Sequence, residues 1–259
     1  MIEDPYRWVE AINNRREYIE HQLSGGSPIV CLSCVDGVLL LTLSRERQKI
    51  FEVYDRIAVG AIGHPGDIER LRMAAIEATS SEGFTRSSQD VSLRRLVSYT
   101  LSPTLKAAFE QIYEAPYLAR MLFAEVGRLG EQDLFIWLDY DGSFQTNGGT
   151  FRKKVEPYAV ISGRQRTSEL MREFLKGREI REMSLEEAEA VALDAWSVGI
   201  LASRGELEAL PDEAAIAAER EKQLASATVE AALLERHAPG AIAYRSLRVE
   251  FDEKSVAPA

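Results

Sequence analysis

Residues 27–43 read SPIVCLSCVDGVLLLTL, and their reading decides the fold. Two short runs of apolar and β-prone residues, Ile29 to Val35 and Val38 to Leu43, flank Asp36-Gly37. Asp-Gly between such runs is a hairpin signal, because both turn residues tolerate positive φ. Working outward, Lys49 to Tyr54 and Ile57 to Ile62 read as a third and a fourth strand, and Gly63 to Gly66 as a loop. Upstream, Asp4 and Pro5 form a favoured helix start. Trp8, Ile12, Tyr18, Ile19 and Leu23 then give an apolar stripe that Gly25 and Gly26 terminate.

Downstream, Asp67 opens an amphipathic helix through Ala78. Gln89 to Tyr113 reads as a second helix, kinked or divided by Pro103. Strands are expected at Leu118 to Val126, Leu134 to Leu138 and Tyr158 to Ser162, with a turn at Asp141-Gly142. Helices follow at Thr167 to Lys176 and Ser184 to Ser203, the latter opened by the capping-box pair Ser184 and Glu187. The Ala- and Glu-rich stretch 212–237 reads as an extra helix, Pro239-Gly240 breaks it, and Ala241 to Phe251 alternates as a last strand. Strands and helices come in blocks, so antiparallel sheets covered by helical layers are expected in place of a parallel βαβ sheet. The fold class is α+β, and 1–259 reads as one domain: a leading helix at 4–24, the sandwich at 27–203, the extra helix and the last strand.

Composition narrows the function classes. The 259 residues carry 31 Lys and Arg against 41 Asp and Glu, for a net charge of −10. That balance argues against nucleic acid as a partner, since phosphate neutralisation needs clustered cations. The basic trio Arg152, Lys153 and Lys154 reads as a solvated loop. Val38 to Leu43, the longest apolar run, is far short of the roughly 20 residues that span a bilayer, and the opening residues do not resemble a signal peptide. A cytoplasmic protein without membrane contact is expected. Cys31 and Cys34 have CxxC spacing, but His21, His64 and His237 are scattered. On a strand the two cysteines would point to opposite faces, which fits packing and not a metal site. No cofactor is implied.

The quoted run, together with QKIFEVYDRIAVGAIG at 48–63, DYDGS at 139–143 and VISG at 160–163, resembles the proteasome subunits, most closely the non-catalytic α type of actinobacteria. The resemblance covers roughly residues 4 to 200. It implies a four-layer αββα sandwich of the N-terminal-nucleophile hydrolase type, preceded by a helix that contacts neighbouring α subunits, here through Trp8, Ile12 and Leu23. It further implies a role as the gated outer ring, the seven-membered ring of the family, stacked on a β-type peptidase ring and docked by a regulatory ATPase. Only a few residues precede the leading helix, which implies a short gating tail.

In the family's peptidases a freed amino-terminal residue attacks, helped by a carboxylate and a lysine. Aligned through Asp36-Gly37, these positions fall on Ser27, Leu43 and Lys49. An aliphatic side chain therefore stands where the carboxylate should be, and Pro28 follows the nucleophile position. The expectation is no catalytic residue. Lys49, with Gly26 and Gly63 beside it, is implied instead to hold the C-terminal carboxylate of an activating ATPase tail, although His64 and Pro65 depart from the family's pattern. Two alternatives stay open: a self-processed hydrolase using Ser27, and a homo-oligomeric relative without a β partner.

Overall fold

The fold is built on pairing of β1 (Ile29–Ser33) with β2 (Gly37–Ser44), in the register Cys31 to Leu40 and Ser33 to Val38. The two-residue turn is Val35-Asp36, one position earlier than expected: the Cys34 amide donates to Gly37 O at 2.8 Å. Gly37 opens β2 with φ +151°, and a Cβ there would lie 2.0 Å from Leu234 O. The glycine is required by the close approach of a neighbouring strand and not by the turn itself. The computed structural model describes residues 5–247 apart from 46, 112, 129, 149–154, 206 and 208. The 152–154 trio, the residues before the leading helix and the end of the expected last strand lie outside the described residues.

The chain order is α1 (Pro5–Leu23), β1, β2, β3 (Ile50–Tyr54), β4 (Ile57–Gly63), α2 (Pro65–Thr85), α3 (Leu93–Arg95), a π-helical turn (Leu96–Leu101), α4 (Ser102–Glu110), β5 (Ala119–Glu125), β6 (Leu134–Leu138), β7 (Phe144–Thr146), β8 (Tyr158–Ile161), α5 (Gln165–Leu175), a short 3-10 turn (Ile180–Glu182), α6 (Leu185–Arg204), α7 (Glu213–Leu224), β9 (Thr228–Glu235) and β10 (Tyr244–Leu247). Pro103 sits just inside α4, and the preceding π turn is where the expected long helix divides. The Ser184 capping box forms as the sequence reading expects. The short β7 was not anticipated.

Two five-stranded antiparallel sheets result, with strand orders β10-β9-β2-β1-β8 and β3-β4-β5-β6-β7. The alternation of each strand sorts its side chains between two cores. Ile29, Cys31, Val38 and Leu40 face the opposite sheet and meet Ile50, Ala58, Ile62, Leu122 and Phe135. Val30, Leu32, Leu39, Leu41 and Leu43 face the layer of α5, α6 and α7. On the other sheet, Val59, Met121, Phe123 and Ile136 pack under α2 to α4. The molecule is therefore a four-layer αββα sandwich. Cys31 and Cys34 are both buried, in different cores, and burial pushes both thiols up.

The expected helix at 212–237 is corrected. Its first half is α7, but 228–235 is β9, paired with the whole of β2 from Gly37–Glu235 to Ser44–Thr228. Ala and Glu favour helix locally. Without β9, however, a buried strand would keep a full row of unpaired backbone groups, and that cost overrides the propensity. The last strand is the short β10, which pairs only with β9.

A buried polar cluster ties the two sheets together. Asp133, 6% exposed, accepts from Ser33 Oγ, from the Gly127 amide at 2.8 Å and from both terminal nitrogens of Arg236 at 2.9 and 2.8 Å. Burial alone would raise the Asp133 carboxyl, but Arg236, Ser33 and Gly127 outweigh it and hold the group below the usual aspartate range. A carboxyl depressed in the folded state contributes stability above the unfolded value, which is lost as pH falls through the folded value. Asp133→Ala should destabilise the fold by about 3–5 kcal/mol, because Arg236 loses its counter-charge. The variant should also lose part of the acid sensitivity of the wild type below about pH 4. Urea melts at neutral and acid pH measure both; an unchanged neutral midpoint would disprove the role.

Candidate functional site

Antiparallel pairing brings the start of β1 and the end of β2 to one end of the first sheet, and the start of β3 and the end of β4 to the same end of the second. Ser27, Leu43, Lys49 and Gly63 stand at these four strand ends. Together with Gly26 and Trp196 they line a cavity of about 760 Å³, within the size range of ligand sites. Three residues expected to act together, Lys49, Gly26 and Gly63, are thus brought together.

Lys49 enters β3 half-buried. Its Nζ donates to Ser27 Oγ, and its backbone amide donates to both oxygens of Glu230, at 2.9 and 3.0 Å. The Ile50 amide donates to Glu230 Oε1 at 2.7 Å. Burial pushes the Lys49 amine below the usual lysine range, with the Glu230 charge opposing it. Burial likewise raises Glu230, against the Ile50 and Lys49 amides and the Lys49 charge. Both shifts have the same cause: this end of the sandwich withholds water from charge.

The two glycines have reasons within the chain. Gly63 has φ +132°, and a Cβ would lie 2.0 Å from Leu118 O, where β4 runs against β5. At Gly26 a Cβ would lie 3.1 Å from Leu23 O and 3.2 Å from Ile62.

Two residues at the site escaped the sequence reading. Glu230 was hidden in the stretch read as helix, although Val229, Ala231 and Leu233 alternate around it. Trp196 lies on α6, 2% exposed, and its indole Nε1 has no acceptor among the described residues. Nothing in a helical stripe of small residues marks such a donor.

The second expected surface is α1. Ile19 and Leu23 pack with Phe109 and Tyr140, and Ile12 lies half-buried against them. Leu23 is 1% exposed. Its assignment to a subunit interface is therefore corrected: an apolar stripe does not show whether its own body or a neighbour covers it. Trp8, on the same helical face one turn before Ile12, is 46% exposed, and Val9 is 52% exposed. Polar contacts fasten the rear of the helix. Arg120 donates to Glu20 at 2.9 Å and pairs with Asp139, Tyr140 Oη donates to Glu20 at 3.0 Å, and Arg15 donates to Ala108 O at 3.0 Å.

The proteasome subunit family model matches residues 23–205, which covers the sandwich from the end of α1 through α6. The chain belongs to the proteasome subunit family. Among curated relatives, the "Proteasome subunit alpha" of Acidothermus cellulolyticus is 31% identical over 190 residues, 73% of this chain and 76% of that protein. The protein of the same name from Frankia casuarinae is 30% identical over 229 residues, 88% and 85% of the two chains. That of Paenarthrobacter aurescens is 29% identical over 211 residues, 81% and 82%. The chain is thus an actinobacterial-type proteasome core α subunit. The matched stretch ends before α7 and β9, yet β9 supplies Glu230 to the family's sandwich end. No helix among the described residues is long and apolar enough to cross a membrane.

Glu230 fixes the entry of β3 through two backbone amides. Glu230→Ala should lower stability by about 1–3 kcal/mol by leaving buried donors unpaired, and a denaturant titration reads the loss. A midpoint equal to the wild type would show that water replaces the carboxylate at no cost.

Proposed function

We propose that this α subunit is non-catalytic and forms the gated outer ring of a 20S core. It assembles with neighbouring copies, seven to a ring, stacks on a β-type peptidase ring and admits unfolded polypeptide. A regulatory ATPase docks on the outer face. The assembly works in the cytoplasm, where ATP supplies that partner.

The observation that carries this reading is the overhang of α1. Its rear half is fastened to the body through the buried Ile19 and Leu23, and its front half carries Trp8 and Val9 largely bare. Large exposed side chains beside a buried stripe mark a surface that a partner completes. Ile12 sits at the margin, half-covered by its own chain.

The reading as a non-peptidase is supported by the sandwich end. Leu43 is 4% exposed and stands where a peptidase would need a carboxylate to hold its lysine. While Ser27 is joined to Gly26 it has no free α-amine to serve as base. The Lys49 cavity suits the carboxylate of a docking tail. A half-buried ammonium binds a carboxylate more strongly than one in bulk water, and Gly26 and Gly63 leave room for the backbone of a peptide.

Trp8→Asp combined with Val9→Asp should abolish ring formation while leaving the monomer folded, as read by native mass spectrometry and far-ultraviolet circular dichroism. A full ring from this variant would refute the assignment of α1. Lys49→Ala should leave the rings intact and eliminate stimulation of peptide hydrolysis by the activator in assembled particles.

A further inference from the structure

The loop that joins β2 to β3 carries charge against the trend of the chain. Residues 44–49 read SRERQK, three cations against one acid, in a protein whose net charge is −10. Arg45 and Arg47 are exposed, and with Lys49 they line the cavity of about 760 Å³. Several arginines elsewhere find carboxylates within the fold: Arg120 pairs with Glu20 and Asp139, Arg220 with Asp194, and Arg236 with Asp133. Other charges on the cavity wall are used up in the same way, since Arg204 pairs with Glu219 at 2.8 Å and Glu69 with Arg72 at 2.7 Å. Among the described residues no carboxylate lies within ion-pair reach of the Arg45, Arg47 or Lys49 side chain. Even with Glu46 counted, the loop keeps an excess of positive charge.

A second observation points to a ligand that brings an acceptor. Trp196 borders the same cavity, 2% exposed, and its indole Nε1 has no acceptor among the described residues. A buried unpaired donor is costly and uncommon. Leu43, Ile62 and Ile200 add apolar surface to the wall. The cavity thus offers positive charge at its mouth, an unused N–H donor and apolar contact. A peptide tail has the matching groups in carboxylates, backbone carbonyls and apolar side chains. A nucleic acid would also meet the negative charge of the rest of the chain, whereas a short peptide meets this patch alone.

We propose that the cavity selects acidic C-terminal tails: the terminal carboxylate meets Lys49, and a Glu or Asp side chain about three residues upstream meets Arg45 and Arg47. The inference rests on the tail-docking reading above and adds to it the kind of tail that is accepted. The spacing follows from size. A compact volume of 760 Å³ is about 9 Å across, which an extended chain covers in about three residues at about 3.3 Å each. Arg45 and Arg47 also line a second cavity, with Thr228, Tyr244 and Leu247, so they stand on the ridge that a tail leaving the first cavity crosses. Charge pairs at such a rim act on encounter rate and selectivity, and salt weakens them.

The test uses the full chain and a fluorescein-labelled peptide, Gly-Ser-Gly-Ser-Glu-Leu-Leu-Ala, read by fluorescence anisotropy at low salt. Replacing the Glu of the peptide by Gln should weaken binding about fivefold, the upper range for one solvent-accessible ion pair, and the difference should shrink as salt is raised. Arg45→Ala combined with Arg47→Ala should bind both peptides equally, at the wild-type affinity for the Gln peptide. Arg45→Glu combined with Arg47→Glu should prefer a peptide with Lys in place of Glu, an outcome that loss of the fold cannot produce. Equal wild-type affinity for the Glu and Gln peptides, with binding still lost on amidating the C-terminus of the peptide and in Lys49→Ala, overturns the acidic selectivity and leaves tail docking standing. Binding that survives both of those changes, or no binding of any peptide, overturns tail docking and the selectivity with it.

Discussion

The face-to-face contact of the two sheets constrains everything else in this protein. Ile29, Cys31, Val38 and Leu40 on one sheet lock against Ile50, Ala58, Ile62 and Leu122 on the other. The fit is close enough that a Cβ on Gly60 would lie 2.9 Å from Ile29 Cγ2. Because both sheets are covered again by helices, the strands are buried on both faces, and each must find backbone partners on both sides or end the sheet. Strand order follows from that demand, and strand order places the ends of β1 to β4 around one cavity.

The cavity inherits its electrostatics from this architecture. Lys49 is a strand-entry residue, so its charge is drawn toward the seam between the sheets, where desolvation works against it. Glu230 does not pair with the ammonium but spends its oxygens on backbone amides at the entry of β3. The opposite seam is treated differently: Asp133 meets Arg236 directly and stays charged. One end of the sandwich is thus stapled by a satisfied ion pair, and the other leaves an amine and a hydroxyl facing open volume. A site that binds belongs at the second, where the polar groups are not yet fully used.

The leading helix shows how a subunit can be both folded and incomplete. Its rear half belongs to the monomer through Ile19, Leu23 and the Glu20–Arg120–Asp139 network. Its front half carries apolar side chains that the monomer does not cover. The rear half borders β4 and packs beside Leu118 at the entry of β5.

Much of this was legible in the sequence because it is local. Turn chemistry, strand-length apolar runs, the Ser184 cap and the Asp141-Gly142 turn depend on neighbours a few residues away, and they marked most elements within a residue or two. The meeting of Lys49, Gly26 and Gly63 was also legible, through the resemblance of the surrounding strands. What the sequence could not show depends on distant partners. Residues 228–235 are helical by composition and a strand by pairing with β2, so Glu230 was invisible as a site residue. The stripe of α1 read as one surface, although Leu23 and Trp8 face opposite fates. Trp196 and the Ser27–Lys49 contact join residues far apart in the chain. Propensity and periodicity fix the kind of element; desolvation, backbone pairing and shared volume decide what each one touches, and these exist only once the chain has closed on itself.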